Sequence, residues 1–332
     1  MQEMHNVAIF GAGGYAGLEL VKLLAVHPGV RIACAASDAR AGTAIDELTG
    51  ARTGASFVTT KQALATEAEV ALLATPAEAA AELAPQLIAR GIRVIDLSNA
   101  HRADGKAVYG LASLFGGEVA GARLVANPGC YATCVITALA PVVRDALVEP
   151  AIAVAAGSGV TGAGRTADEA MSLGEMYGEV RAYKVLRHQH VPEIEMALGR
   201  VAPPAARPRV ALTTHLLPVA RGIFATVTAR LRDGAAGEGA TEALIARYRA
   251  AYAGDRSVVI AATAEGVSLR RVVGTNTCAI GVASEGTAGG FVVITAAIDN
   301  LLKGAAGQAV ENLNLMLGLE RMTGLAHLAR HA

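Results

Sequence analysis

The chain has no excess of charge, since 29 Lys and Arg face 29 Asp and Glu for a formal net charge of +0. Long-range attraction to nucleic acid or to an anionic membrane is therefore not expected, and an anionic ligand has to be held by a few local arginines. No apolar run is long enough to span a bilayer, because glycines and charged residues interrupt every candidate. Met1–Asn6 leads straight into a strand and lacks the basic and apolar regions of a signal peptide, so a cytoplasmic protein is expected. Cysteine is scarce as well. Cys34, Cys130, Cys134 and Cys278 are too scattered for a disulfide framework, and free thiols are expected. Cys130 and Cys134 share a helix face, yet no two further ligands stand at matching spacing. The pair reads as one active and one buried thiol, with no metal. Repeats and functional low-complexity tracts are lacking too. What remains is a 332-residue chain, 53% hydrophobic and 17% charged, with the length for two domains.

Val7–Phe10 is a short apolar strand. Gly11-Ala12-Gly13-Gly14-Tyr15-Ala16-Gly17 follows, and Leu18, Leu20, Val21, Leu23 and Leu24 then mark a helix. This is the strand, glycine turn and helix of a dinucleotide-binding fold. Gly11 serves the tight turn, Gly13 and Gly14 let the backbone approach a pyrophosphate, and the phosphate rests on the helix start at Tyr15 and Ala16. A second strand, Arg31–Ala36, ends in Ser37-Asp38-Ala39-Arg40, where such a fold reads the adenosine ribose. Asp38 favours the 2′-hydroxyl of NAD, whereas Ser37 and Arg40 favour the 2′-phosphate of NADP. The signals conflict, and the match of guanidinium to phosphate tips the expectation to NADP.

Strands at Val70–Ala74 and Arg93–Leu97, with a helix over Ala77–Arg90 between them, continue a parallel sheet. Beyond Cys130 the strands Ala151–Ala156, Arg209–Thr214, Phe224–Leu231 and Phe291–Ile298 follow with few helices between them. Asp299–Leu319 reads as one apolar helix with a stripe of Ala305, Ala309, Leu313, Met316 and Leu317, returning to the first domain. The expected fold class is α/β. A Rossmann-type doubly wound parallel sheet (1–129 and 303–332) joins an α+β catalytic and dimerisation domain with a mainly antiparallel or mixed sheet (130–302).

The chemistry centres on Asn127-Pro128-Gly129-Cys130-Tyr131. Arg123–Ala126 reads as a strand and Ala132–Leu139 as a buried helix, so Cys130 sits on the turn between them. Unpaired amides and the positive end of the helix dipole there favour the thiolate. A thiolate nucleophile needs a proton-transfer partner, and His190 is the best candidate. Pro192 is expected to begin a helix with an apolar stripe of Ile194, Leu198 and Val201, which leaves His190 just ahead of it. The dipole disfavours imidazolium at that point, and Glu193 one turn on is poised to hold the other ring nitrogen. His188 competes with His190 for the role. Arg102, Arg165 and Arg221 each follow a strand in a turn rich in Gly, Ser or Asn, as anion-holding arginines do.

Read in order, Gly11–Gly17, Asp96–Arg102, Tyr109-Gly110-Leu111, Asn127–Tyr131, Ser158–Arg165, His188–Ile194, His215–Gly222, Gly274-Thr275-Asn276 and Asp299–Asn314 are collinear over nearly the whole chain. In this it resembles the N-acetyl-γ-glutamyl-phosphate reductases of the aspartate-semialdehyde dehydrogenase superfamily. Asn-Pro-Gly-Cys-Tyr distinguishes that branch, and Asp299–Ala309 is nearly diagnostic of it. The resemblance implies an arginine-biosynthetic enzyme in which Cys130 attacks an acyl phosphate, phosphate leaves, and NADPH reduces the thioester to the aldehyde while His190 moves protons. It also implies phosphate contacts from Arg102 and Asn127. Arg165 or Arg221 is expected on the substrate carboxylate, with His188 among the substrate-binding residues. Ser158 and Gly159 would lie near the nicotinamide, Asn300 would be a second cofactor contact, and the assembly would be a homodimer or homotetramer. The partner is a small acyl phosphate.

Three departures stand out. Thr75-Pro76-Ala77-Glu78 replaces Pro-His-Gly, Gly110-Leu111-Ala112-Ser113 replaces Gly-Leu-Pro-Glu, and His101-Arg102 replaces Phe-Arg. They keep open a related reductase of aminoadipyl phosphate in lysine biosynthesis. A non-phosphorylating aldehyde dehydrogenase and a catalytically silent NADP-binding regulator are the other rivals.

Overall fold

The computed structural model describes residues 4–103, 105–165 and 169–329. The chain divides into two compact units, Met1–Gly129 with Ala305–His327, and Cys130–Gly304 with Leu328–Ala332. The return to the first unit thus falls at Ala305 rather than 303. Leu328 groups with the second unit, its carbonyl accepting from the Asn276 N–H at 3.0 Å.

In the first unit, strands β1 (His5–Phe10), β2 (Val30–Ala36), β3 (Val70–Leu73), β4 (Arg93–Asp96), β5 (Val108–Tyr109) and β6 (Leu124–Ala126) form a sheet of order β2-β1-β3-β4-β6-β5. Every pairing in it is parallel. The chain runs from β1 to β2 on one side and then to β3 on the other, so a switch point opens between β1 and β3, where such sheets take their ligands. Val7, Ile9, Leu72, Leu73, Val94 and Ile95 are fully buried, as expected of strands covered on both faces. Helices Tyr15–Ala25 and Ala77–Ala89 present Leu20, Val21, Leu24 and Ala80, Ala84, Leu87 to the interior.

The expected continuous helix over Asp299–Leu319 is instead a π-helical stretch, Leu302–Ala306, followed by the α-helix Gly307–Leu317. Ala309, Leu313 and Met316 of the expected stripe are buried, whereas Ala305 and Leu317 are only partly so. Polar residues are buried alongside them. Asn312 Nδ2 donates to the Gly110 carbonyl at 2.8 Å, Gln308 Nε2 to the same oxygen at 3.1 Å, and Asn314 accepts from His27 Nε2 at 3.0 Å. The helix is stitched into the first unit by hydrogen bonds as much as by apolar burial.

The second unit holds β7 (Ala151–Gly159), β8 (Arg181–Tyr183), β9 (Arg209–Leu217), β10 (Ile223–Arg230), β11 (Val258–Ile260), β12 (Cys278–Ser284) and β13 (Phe291–Ile298). They form one mixed sheet of order β11-β12-β13-β10-β7-β9-β8. β7 pairs with β9 and β11 with β12 in parallel, and the other neighbours are antiparallel. Helix Cys130–Arg144 lies against this sheet, buried along its length from Tyr131 to Val143. Tyr248 and Tyr252 of and after helix Ala240–Ala251 donate from their hydroxyls to the Ala138 and Thr137 carbonyls, near the turn that Pro141 leaves without a donor. On the other sheet face, Ala153, Ala155 and Ala211 are exposed and Thr213, Thr226 and Thr228 half-buried. Among the described residues no helix is long and apolar enough to cross a membrane.

Candidate active site

In the first unit, the glycine turn is dictated by its neighbours. Gly11 has φ +75°, and a Cβ on it would collide with the Ala74 carbonyl at the end of β3. Gly17 packs on the Gly11 carbonyl and Ala12 just as closely, seating the helix on the turn. A Cβ on Gly13 would collide with Ser37 Oγ and lie 3.2 Å from Arg40 Cδ, so Gly13, Ser37 and Arg40 converge on one cradle. Gly14 caps the helix, and Tyr15 and Ala16 open it. Asp38 faces elsewhere. Its carboxylate accepts from Thr60 Oγ1 at 2.7 Å and Thr60 N at 2.8 Å, and those bonds hold it below the usual carboxylate range.

Between β4 and β6 the side chains have structural tasks. The buried Asp96 carboxylate accepts from Ser98 N at 2.8 Å, Ser98 Oγ at 3.0 Å and His101 Nδ1 at 2.7 Å. Arg102 donates from Nε to the Asn127 carbonyl at 2.8 Å and from a terminal nitrogen to the Leu97 carbonyl at 2.6 Å. Asn127, expected at the phosphate, is held from within the first unit. It is 0% exposed, accepting from Asn312 Nδ2 at 3.0 Å and donating to the Ala305 carbonyl at 3.3 Å. Its amide braces the turn that leads into Cys130.

In the second unit, Cys130 is the first residue of helix Cys130–Arg144 and is half-buried, the partly open helix-start setting in which a thiol is able to react. Cys134, one turn on, is fully buried and hydrogen-bonded to the Cys278 thiol, which with burial raises it well above the usual thiol range. The two thiols of the pair thus differ in exposure, one half-buried and the other fully buried. A Cβ on Gly304 would stand 2.8 Å from Cys130 Cβ and 3.1 Å from Ile298 Cδ1. The π-helical turn brings its backbone to Cys130, with Gly304 N–H donating to the Asp299 carbonyl at 2.9 Å. Gly304→Ala is expected to lower kcat about 100-fold by displacing the sulfur, following the cost of a ~1 Å misplacement. Steady-state kinetics checks it, beside a thermal melt that should fall by a few degrees, the cost of about 1–3 kcal/mol for overpacking a buried contact.

Asp299 and Asn300 hold the adjoining corner. Asp299 accepts from Leu301 N, Leu302 N, Gly274 N and the Arg221 guanidinium, the last at 3.2 Å. Asn300 is 2% exposed, accepting from Gly222 N at 2.7 Å and donating to Thr161 Oγ1 at 3.0 Å. Asn300, expected as a cofactor contact, ties these two turns together. A Cβ on Gly159 would meet Arg221 N at 2.7 Å, so only glycine lets those turns close. Ser158, Gly159, Arg221 and Asn300 thus share one corner. Arg165 is exposed, just before residues 166–168, which are outside those described.

The helix expected to begin at Pro192 begins at His190 and runs to Val201. Proline is tolerated throughout the first turn, whose amides have no partner within the helix, so it marks the region of a start and not the residue. His190 is therefore within the helix. Its stripe buries Ile194, Ala197 and Leu198, whereas Val201 is only partly covered. Glu193, one turn from His190, is buried too. The ring of His188 stands 4.8 Å from that of His190, 5.2 Å from Tyr131 and 5.8 Å from Tyr183. Tyr183 donates to the Tyr131 hydroxyl at 3.1 Å. Tyr131, the residue after Cys130, and Tyr183 join the two histidines in one cluster, though neither is singled out from the sequence. Their position beside Cys130 and just before the histidine run was the available signal.

Two family models match the chain. One, described as a semialdehyde dehydrogenase NAD binding domain, covers residues 6–122, and the other, a semialdehyde dehydrogenase dimerisation domain, covers 130–300. N-acetyl-gamma-glutamyl-phosphate reductases from Bacillus cereus and Bacillus mycoides are 38% and 39% identical over 97% of this chain and 99% of their own. Aspartate semialdehyde dehydrogenase II from Vibrio cholerae shares the fold, with a TM-score of 0.75 at 18% identity over 96% of this chain and 99% of that one. The aspartate semialdehyde dehydrogenase with NADP from Candida albicans has a TM-score of 0.69 at 12% identity, covering 95% of this chain and 99% of that one. The chain belongs to the semialdehyde dehydrogenase family, on the branch of the N-acetyl-gamma-glutamyl-phosphate reductases.

Proposed function

We propose that the protein reduces N-acetyl-γ-glutamyl phosphate to N-acetylglutamate 5-semialdehyde with NADPH and releases phosphate, a step of arginine biosynthesis. The observation that carries this reading is the half-buried Cys130 at a helix start, packed on Gly304, in the same unit as the His188–His190 pair. Cys130 sulfur attacks the acyl carbon, the carbon–oxygen bond to phosphate breaks with its electrons leaving on phosphate, and a thioester remains. His190 takes the thiol proton and later handles the proton of the thiohemiacetal as the aldehyde departs, with Glu193 in support. Arg102, which follows β4 and donates to the Asn127 carbonyl, supplies charge for the phosphate, and Arg221 or Arg165 holds the substrate carboxylate. Asn127 acts through the turn it braces.

The first unit is the cofactor-binding domain on this reading and the second the catalytic and dimerisation domain. Bound NADPH supplies the hydride for the thioester carbon. Gly11, Gly13, Gly14, Tyr15 and Ala16 would hold its pyrophosphate, and Ser37 with Arg40 its 2′-phosphate. The engagement of Asp38 by Thr60 and the convergence of Gly13, Ser37 and Arg40 favour NADP over NAD. Ser158 and Gly159 form the nicotinamide corner, which Asn300 shapes. Arg40→Ala is expected to raise the KM for NADPH about 10–100-fold, the worth of a charge-assisted phosphate contact, and to narrow the preference over NADH. Initial rates with both cofactors check it.

The open, small-residue face of β7, β9 and β10 suits a second copy of the chain, giving a cytoplasmic homodimer, or a homotetramer if dimers pair again. The whole reading is tested in reverse, by following NADPH from N-acetylglutamate semialdehyde, NADP and phosphate. Phosphate-dependent turnover supports it. Turnover only with aminoadipate semialdehyde moves the enzyme to lysine biosynthesis, and phosphate-independent oxidation points to a non-phosphorylating dehydrogenase.

A further inference from the structure

The two histidines are divided by their hydrogen bonds. The backbone N–H of His190 donates to His188 Nδ1 at 3.2 Å. That nitrogen is an acceptor, so the proton of the neutral ring sits on Nε2. His188 is 5% exposed, and among the described residues nothing accepts from its Nε2. The titratable groups that face the ring are Tyr131 from the Cys130 helix, Tyr183 from β8, Lys184 just after β8, and His190. Burial first, and the Lys184 charge second, push His188 down to about 4, so it stays neutral at physiological pH. With Nδ1 engaged and Nε2 protonated, it is neither a base nor an acid of useful strength. It is a fixed N–H dipole.

That dipole lies against the ring of Tyr131, the residue that follows Cys130. The Tyr131 ring stands 5.2 Å from that of His188 and 6.1 Å from that of His190. Tyr183, 5.8 Å from His188, donates to the Tyr131 hydroxyl, so two phenols hold the His188 ring next to the first turn of the Cys130 helix. We propose that His188 is a catalytic hydrogen-bond donor, its Nε2–H meeting the acyl oxygen of the substrate while His190 alone transfers protons. This rests on the acyl-phosphate reading above. As Cys130 sulfur bonds to the acyl carbon, the carbonyl π pair moves onto oxygen and His188 stabilises that charge without giving up its proton. The pair returns to re-form C=O as the bond to phosphate breaks. A buried neutral imidazole suits such a task, because its N–H is oriented before charge develops and no proton has to be recovered afterwards.

Two substitutions separate the ring's functions. In His188→Asn the side-chain oxygen still accepts from the His190 N–H, but the donor at the Nε2 position is gone. In His188→Gln an amide N–H reaches towards that position. In the phosphate-dependent reverse reaction, His188→Asn is expected to lower kcat about 10²–10³-fold. It should keep the pH dependence due to His190 and the wild-type rate of Cys130 alkylation by iodoacetamide. His188→Gln is expected to recover at least about tenfold of the loss, with cofactor binding confirming that both variants fold. A near-wild-type kcat in the Asn variant overturns the proposal, as does a Gln variant no better than Asn. Loss of the His190 titration in the Asn variant also overturns it, by making His188 a positioning residue. A wild-type enzyme silent with every acyl phosphate removes the underlying reading and the proposal with it, whereas an active wild type with an unaffected Asn variant removes the proposal alone.

Discussion

Cys130→Ser lowers turnover by at least about 10⁴-fold, the scale seen when a covalent nucleophile is lost. The substitution exchanges sulfur for oxygen at the first residue of helix Cys130–Arg144, where serine suits a helix start as well as cysteine does. Packing against Gly304 is relaxed and not crowded, because oxygen is smaller than sulfur. Cys134 and Cys278 stay buried and hydrogen-bonded to each other, so neither substitutes as a nucleophile. The loss is therefore chemical, since a hydroxyl is a much weaker acid than a thiol and a poorer partner for the same base. Cofactor binding and the thermal melt should match those of the unaltered protein. Turnover within tenfold of normal would mean that no thioester forms at this position.

His190→Asn is expected to lower kcat about 10²–10⁴-fold, the usual worth of a positioned acid–base group. The side chain is buried on the first turn of helix His190–Val201, and the backbone N–H that His188 accepts from survives the substitution. One titration should disappear from the pH–rate profile, and iodoacetamide should alkylate Cys130 more slowly. An unchanged profile would move the proton transfer away from His190, and His188 is poorly suited to receive it because its Nδ1 is occupied.

The glycine turn and the parallel sheet were legible in the sequence because sterics leave little choice. Gly11 and Gly17 meet backbone where a side chain would sit, and an alternation of strand and helix admits few topologies. Asn127-Pro128-Gly129-Cys130 was legible as a turn because Pro and Gly end a strand, and β6 stops at Ala126 with the helix beginning at Cys130. The second sheet was harder. β12, with a glycine among small residues, and β8, a short edge strand, lack the pattern of a half-covered strand, and both went unread. Helix Ala240–Ala251 went unread too, its apolar stripe being weak.

Side-chain direction was the least legible property. The sequence offers Asn127 for a phosphate and Asn300 for a cofactor but does not show what their amides meet. Their partners, Asn312 at 185 residues and Gly222 at 78 residues distance, come close only once the chain has folded. The one-residue cue that Asp38 and Arg40 pull in opposite directions was real. Thr60, 22 residues on, takes Asp38 and leaves Arg40 beside Gly13.

The central claim is a covalent acyl group on Cys130. Mixing the protein with N-acetylglutamate semialdehyde and NADP in the absence of phosphate should give one burst of NADPH per active site. Digestion and mass spectrometry should then locate the N-acetylglutamyl mass on the Cys130 peptide, and added phosphate should release it. Multiple turnovers without any adduct, or an adduct on another residue, would contradict the account.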